Sequence, residues 1–211
     1  MLGCRPAATP IEQNHRLSKD VGTPVDKECY QRLVGRLISL SHTRPDIAFA
    51  VSVVSQFMHD PRSSHMNAVY RILRFLKSSP GKGLLYIKQG SMQVECYTDV
   101  VWACFFLDDR RSTSGYCTFI GANLVAWRSK KQSVVARSMA EAEFCAMAHG
   151  VSELLWLQIL LTELRLFKNG PLMLYCDNKA AIDIANNPVH HDKTKHIEID
   201  RHFIKEKLDG E

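Results

Sequence analysis

Residues 94–100 read VECYTDV and residues 172–178 read LMLYCDN, two short β-compatible runs that each carry an Asp where the apolar pattern breaks. The pattern predicts strands over 92–98 and 172–176, ending at Asp99 and Asp177. Mostly apolar side chains on both faces suit a covered sheet. Neighbouring parallel strands bring equivalent C-terminal ends side by side, where open α/β sheets place their ligands. Asp99 and Asp177 are thus expected to face each other across a crevice. Between them, residues 138–166 form a long helical pattern with Phe144, Met147, Ala148, Val151, Leu154 and Leu155 on one stripe. Two acids, Glu141 and Glu143, lie near the start of that helix.

Carboxylates repel when brought together, and divalent cations are the counter-charge that offsets the cost. Ser138 and Glu141 stand in capping-box register, which gives Glu141 a structural role at the helix start and leaves Glu143 without one. Periodicity does not separate the two, because they flank the apolar stripe at similar angles on opposite sides. Taken singly, each acid reads more readily as a solvated surface carboxylate than as a catalytic one. The ordered trio Asp99, Glu143 and Asp177 instead points to nuclease chemistry.

The flanking chain divides in composition. Residues 1–28 are polar and punctuated by Pro6, Pro10 and Pro24, an extended lead-in. Residues 29–90 form a helical segment with patterns over 29–42, 46–58 and 63–77, broken at Arg44-Pro45 and Pro80-Gly81. Residues 91–211 carry the strand patterns. Within them, 114–120 and 124–130 are joined by Gly121, Ala122 and Asn123, a hairpin signature with residues tolerant of positive φ. Asp108-Asp109 precedes Arg110-Arg111 in a polar connector and reads as a turn, not as the paired Asp of a polymerase.

The 211 residues suit one domain plus a smaller appendage. A net charge of +5 is compatible with an acidic polymer as partner. Its distribution is more informative: Arg128, Lys130, Lys131 and Arg137 flank a strand and the next helix, and Lys193 and Lys195 open a basic end. Seven cysteines, without metal-finger spacing, read as reduced and mostly buried thiols. His190, His191, His196 and His202 match no common zinc spacing. No apolar run reads as a membrane span and MLGCRPAATP lacks signal-peptide regions, so the expectation is an intracellular chain, in cytoplasm or nucleus, without a membrane partner.

Five stretches are recognisable: CYTDVVWAC, DDRRSTSGYCTFIGANLVAWRSKKQSVVARS, AEAEF, LYCDNKAAIDIANNPV and TKHIEIDRHFIKEKL. Together they resemble the ribonuclease H domain of Copia-type (Ty1/Copia) retrotransposon Pol polyproteins of plants. YQRLVGRLISLSHTRPDIAFAVSVVSQFMHDP and AVYRILRFLKSSPGKGLLY look like the segment that connects it to the reverse transcriptase of the same polyprotein. The resemblance implies an α/β, ribonuclease H-like mixed sheet, with three antiparallel strands, a parallel fourth and flanking helices, preceded by a small helical segment. By motif match, Asp99, Glu143 and Asp177 are similar to the family's metal-binding catalytic acids. The implied reaction is hydrolysis of the RNA strand of an RNA/DNA hybrid by two Mg²⁺ ions about 4 Å apart, with Mn²⁺ as a substitute. Asp99 would bridge the ions. The implied partners are the hybrid and the reverse transcriptase portion of the parent polyprotein, in a virus-like particle if that element is active.

Three departures stand out. Relatives usually read YTDADWAG where this chain has Val101 for the second Asp and Cys104 for the Gly, and they tend to have Ser in place of Met139. The family's fourth acid, fifth strand and last helix fall after Glu211, so an incomplete domain with an exposed fourth-strand edge is expected. The rival readings are a retroelement remnant that at most binds nucleic acid, and an integrase-type nuclease. The Asp, Glu, Asp order argues against the second.

Overall fold

The computed structural model describes residues 3–13, 15, 17–19, 21–88, 92–102, 110–167, 170–186 and 203–204. The chain forms two compact units, Met1–Leu85 and Tyr86–Glu211.

The first unit is a three-helix cluster of α1 (Lys27–Ser41), α2 (Pro45–Ser55) and α3 (Ser63–Ser78). Asp26 caps α1 by accepting the Glu28 and Cys29 N–H groups at 3.0 and 3.4 Å. Pro45 opens α2, where its missing N–H costs nothing. Tyr30, Val34, Ile47, Val54, Val69 and Ile72 form a fully buried apolar centre. The Tyr30 hydroxyl donates to Val54 O at 2.7 Å, so the one polar atom of that ring is satisfied inside the core.

The second unit is built on a four-stranded sheet of β1 (Val94–Val101), β2 (Thr113–Ile120), β3 (Asn123–Lys131) and β4 (Met173–Cys176), in the order β3-β2-β1-β4. The first three strands are antiparallel neighbours and β4 runs parallel to β1. Two helices follow the pattern, α4 (Met139–Glu163) before β4 and α5 (Lys179–Asn186) after it. This is the α/β, ribonuclease H-like arrangement implied by the sequence.

Three expectations change. The first strand does not stop at Asp99: Val100 and Val101 are β-branched and continue the ladder opposite Ser114 and Thr113. The sheet is not covered equally on both faces. In β1, Val94, Cys96, Thr98 and Val100 are buried while Tyr97, Asp99 and Val101 are exposed. The open face is instead lined by aromatic neighbours, Tyr97 stacked on Tyr175 at 4.7 Å and edge-on to Phe119 at 5.8 Å. In the hairpin, positive φ falls on Gly121 (52°) and Ala122 (64°), whereas Asn123 is already in β3. The Asn123 side chain brackets Ile87, accepting its N–H at 2.8 Å and donating to its carbonyl at 2.9 Å.

Helix α4 is the spine of this unit. It is long and apolar enough by length and composition to cross a membrane, contrary to the reading of the apolar runs. Packing accounts for that apolarity. Phe144, Met147 and Ala148 meet Ala181 and Ala185 of α5, Ala142 and Ala146 meet Val100, and Leu154, Leu157 and Leu161 meet Val94 and Cys96. The expected stripe residues Phe144, Met147, Ala148 and Leu154 are buried, but in the N-terminal half their neighbours Ala142, Cys145 and Ala146 are buried with them, and only in the C-terminal half do Trp156 and Ile159 face outward. Gly150 sets the distance to the sheet, since a Cβ there would lie 2.7 Å from Thr98 Cγ2 and 2.9 Å from Leu174 Cδ1.

Candidate functional site

The strand register fixes where the two Asp residues meet. Thr98 pairs with Cys176 across the parallel β1–β4 ladder, so Asp99 and Asp177 are the next residues on neighbouring strands. Asp99 lies inside β1 opposite Gly115, and Asp177 follows the last residue of β4. One oxygen of Asp99 is fixed by its neighbour: the Val100 N–H donates to Oδ1 at 2.7 Å.

Glu143 reaches the same place from above. It precedes Gly150 by seven residues, two turns on the same helix face, and Gly150 rests on Thr98 and Leu174. Glu143 is 0% exposed, and its Oε1 has no hydrogen-bond partner among the described residues. Burial, and then the carboxylates of Asp99 and Asp177, push its pKa up to about 7, against a smaller opposing effect of the Val100 N–H. A buried carboxylate with a vacant acceptor, repelled by two others, lacks a positive charge.

Among the described residues, the ligand atoms that come within 4.8 Å of one another belong to Glu143, Cys176 and Asp177. Asp99 stands outside that set, although it is near enough to raise Glu143. Oxygen donors suit Mg²⁺ or Mn²⁺, so the three acids fit a divalent cation, with Asp99 the most outlying of them. Strand alternation is the reason: Asp99 shares its face with exposed Tyr97 and Val101, whereas α4 covers the other face. Cys176 was read only as a structural thiol. The same alternation could have found it, because it places Cys176 with Leu174 on the face that packs against α4.

Glu141 is buried too, and it does cap the helix. Its own N–H donates to Ser138 Oγ at 3.2 Å, but its Oε2 accepts the N–H of Arg137 at 2.6 Å, one residue before the expected partner. Gln132, which the sequence did not single out, pins the preceding segment by donating to Ser114 Oγ and Ala142 O, both at 2.8 Å.

The cysteines also differ in detail from the reading. All six described ones stand outside any disulfide, but only Cys96 and Cys145 are buried and the other four are half-buried.

No family model matches the chain. It is 41% identical over 209 residues to the Retrovirus-related Pol polyprotein from transposon RE2 and, over the same length, to that from transposon RE1, both of Arabidopsis thaliana. It is 37% identical over 220 residues to the Retrovirus-related Pol polyprotein from transposon TNT 1-94 of Nicotiana tabacum. These alignments cover 99–100% of this chain and 14–16% of the relatives. The chain belongs to the Copia-type retrotransposon Pol polyproteins. It spans about 14% of the length of the first two relatives.

In this Copia-type chain the basic residues expected to meet nucleic acid separate into groups. Arg128 and Lys130 are exposed on β3 and pair across the ladder with Tyr116 and Ser114. With His149, Ser152 and Glu153 of α4 these residues line a cavity of about 160 Å³. Tyr116 donates to Glu153 Oε2 at 2.8 Å, and burial pushes its phenol up to about 12. Lys131 is half-buried at the end of β3, and Arg137 is exposed just before α4. Lys193 and Lys195 lie outside the described residues, as do Cys104, the Asp108-Asp109 pair, His190, His191, His196 and His202. Val101 is 48% exposed on the Asp99 face, so its apolar side chain gains little from burial.

Proposed function

We propose that this chain is the ribonuclease H portion of a Copia-type Pol polyprotein and hydrolyses the RNA strand of an RNA/DNA hybrid. The observation that carries the reading is Glu143, a fully buried carboxylate with an oxygen unpartnered among the described residues, repelled by Asp99 and Asp177. Asp99, Glu143 and Asp177 would hold the divalent cations. Mg²⁺ bound there supplies Lewis-acid polarisation of the scissile phosphate and a nucleophilic water at neutral pH.

The chain's own groups do the positioning. Burial and the two Asp carboxylates push Glu143 up to about 7, and it would give up its proton on binding a cation. The Val100 N–H keeps Asp99 Oδ1 in one orientation, which spares reorganisation at the moment of reaction. Arg128 and Lys130, with Lys131 and Arg137 nearby in sequence, offer phosphate contacts that are blind to sequence. Preference for RNA would come from 2′-hydroxyl contacts in the wide minor groove of the hybrid.

Cleavage of a hybrid by the purified chain with Mg²⁺ tests this directly, with Asp99→Asn as the control. Abolition by that substitution supports the assignment, and undiminished cleavage sinks it.

One observation favours a second reading, a retroelement remnant that binds nucleic acid without cutting it. Asp99 stands outside the set of ligand atoms that lie within 4.8 Å. Salt-sensitive binding of the hybrid with no cleavage in Mg²⁺ or Mn²⁺ would select this reading.

A further inference from the structure

The carboxylate site contains a ligand that magnesium chemistry does not use. Cys176 Sγ, an oxygen of Glu143 and an oxygen of Asp177 all lie within 4.8 Å of one another, so side-chain shifts of about 1 Å bring them to the spacing of roughly 3.5 Å that one tetrahedral cation with bonds of about 2.0–2.3 Å requires. The thiol is 4.0 Å from both Glu143 Oε2 and Asn178 O, too long for a strong hydrogen bond, and Glu143 Oε1 is buried with no partner among the described residues. Neither group is saturated by the other. The Cys176 side chain is also held in place: it lies on the α4 side of β4, packed against the cluster of Phe144, Met147 and Ala181.

We propose that Cys176, Glu143 and Asp177 form a binding site for thiophilic divalent cations, Zn²⁺ or Cd²⁺, within the same crevice. Mg²⁺ is a hard ion that takes oxygen ligands in near-octahedral geometry and retains waters, so a sulfur ligand adds nothing to its binding. Zn²⁺ accepts one sulfur and two oxygens in a tetrahedral set and leaves a fourth position for water. Its binding forms a metal–sulfur bond and releases the thiol proton to solvent. The site therefore holds a soft ion in preference to the hard one. Resting on the ribonuclease H reading, the consequence is that Zn²⁺ inhibits Mg²⁺-dependent cleavage by occupying ligands that Mg²⁺ needs.

Titration of the full chain with Cd²⁺, followed by ultraviolet thiolate-to-cadmium charge-transfer absorption, tests the site without reference to activity. One tight equivalent is expected in the unsubstituted chain, competed by Zn²⁺ and not by Mg²⁺ at equal concentration. Cys176→Ser should remove that equivalent and leave any absorption from the remaining cysteines, and Glu143→Gln should weaken it roughly tenfold or more. An unchanged titration in Cys176→Ser overturns the proposal, as does tight binding that is indifferent to Glu143→Gln. The cleavage assay separates the two readings. A Cys176-dependent cadmium site in a chain that never cleaves hybrid leaves the metal site standing and removes the nuclease. Cleavage whose Zn²⁺ inhibition is equal in the unsubstituted chain and Cys176→Ser removes the metal site as the cause and leaves the nuclease.

Discussion

Glu141 and Glu143, two residues apart on one helix, are both buried, yet Glu141 Oε2 accepts the Arg137 N–H at 2.6 Å while Glu143 Oε1 accepts nothing from the described residues. The first carboxylate completes a helix terminus. The second stands over the strands that carry the two Asp residues. Substitution should separate these roles. Glu141→Ala removes a capping acceptor and is expected to cost about 1–2 kcal/mol in urea unfolding while the Mg²⁺-induced rise in Tm persists. Glu143→Gln keeps the shape, loses no hydrogen bond to Oε1, and should abolish that rise. A Mg²⁺ response that survives Glu143→Gln would remove this residue from the cation site.

Stability should also depend on pH through Glu143. Its folded pKa of about 7 lies above the ordinary 4.5, so its protonation stabilises the fold fully below pH 4.5, and that contribution is lost as pH rises through 7. The difference amounts to roughly 3 kcal/mol. Unfolding free energies of the cation-free chain and of Glu143→Gln, compared between pH 4.5 and 8, should diverge by that order, with the substituted chain favoured at the alkaline end. Saturating Mg²⁺ should flatten the profile of the unsubstituted chain. Parallel profiles would mean that Glu143 ionises normally.

The hairpin between β2 and β3 carries strain at one residue. Ala122 has φ 64°, in the left-handed region that a Cβ disfavours. Ala122→Gly should relieve this and stabilise the unit by up to about 1 kcal/mol, net of the entropy that glycine adds to the unfolded chain. Chemical denaturation checks it, with a lower midpoint as the contrary result.

Arg128 and Lys130 face the cavity shared with His149 and Glu153. If phosphates of the proposed hybrid lie there, the Arg128→Ala, Lys130→Ala double substitution should weaken binding equally for every sequence. It should also reduce the slope of log K against log salt by about 2. An unchanged slope would place the backbone elsewhere.

The positions of Asp177, the Ser138 cap and the helices of the first unit were legible because each depends on local signals: a break after an apolar run, a hydroxyl at a helix start, prolines at helix ends. Asp99 was harder. Its strand continues two residues further because Val100 and Val101 find ladder partners in Ser114 and Thr113, and pairing is a non-local fact. The α4 stripe understated the burial around it for a related reason. A helix enclosed by the sheet on one side and α5 on another buries most of its N-terminal turns, which erases amphipathic periodicity.

The amino-acid sequence by itself determined the order of elements, the family, and which acids are candidates for chemistry, since composition, period and motif are properties of neighbouring residues. Only the tertiary structure decided that Glu143 is buried with one oxygen unpartnered among the described residues, that Asp99 lies on the exposed side of its strand, and that Cys176 lies beside two of the carboxylates. Those facts depend on strand register and on how closely Gly150 lets α4 approach the sheet. Distances across a sheet are set by packing between residues far apart in the chain, and no local pattern encodes them.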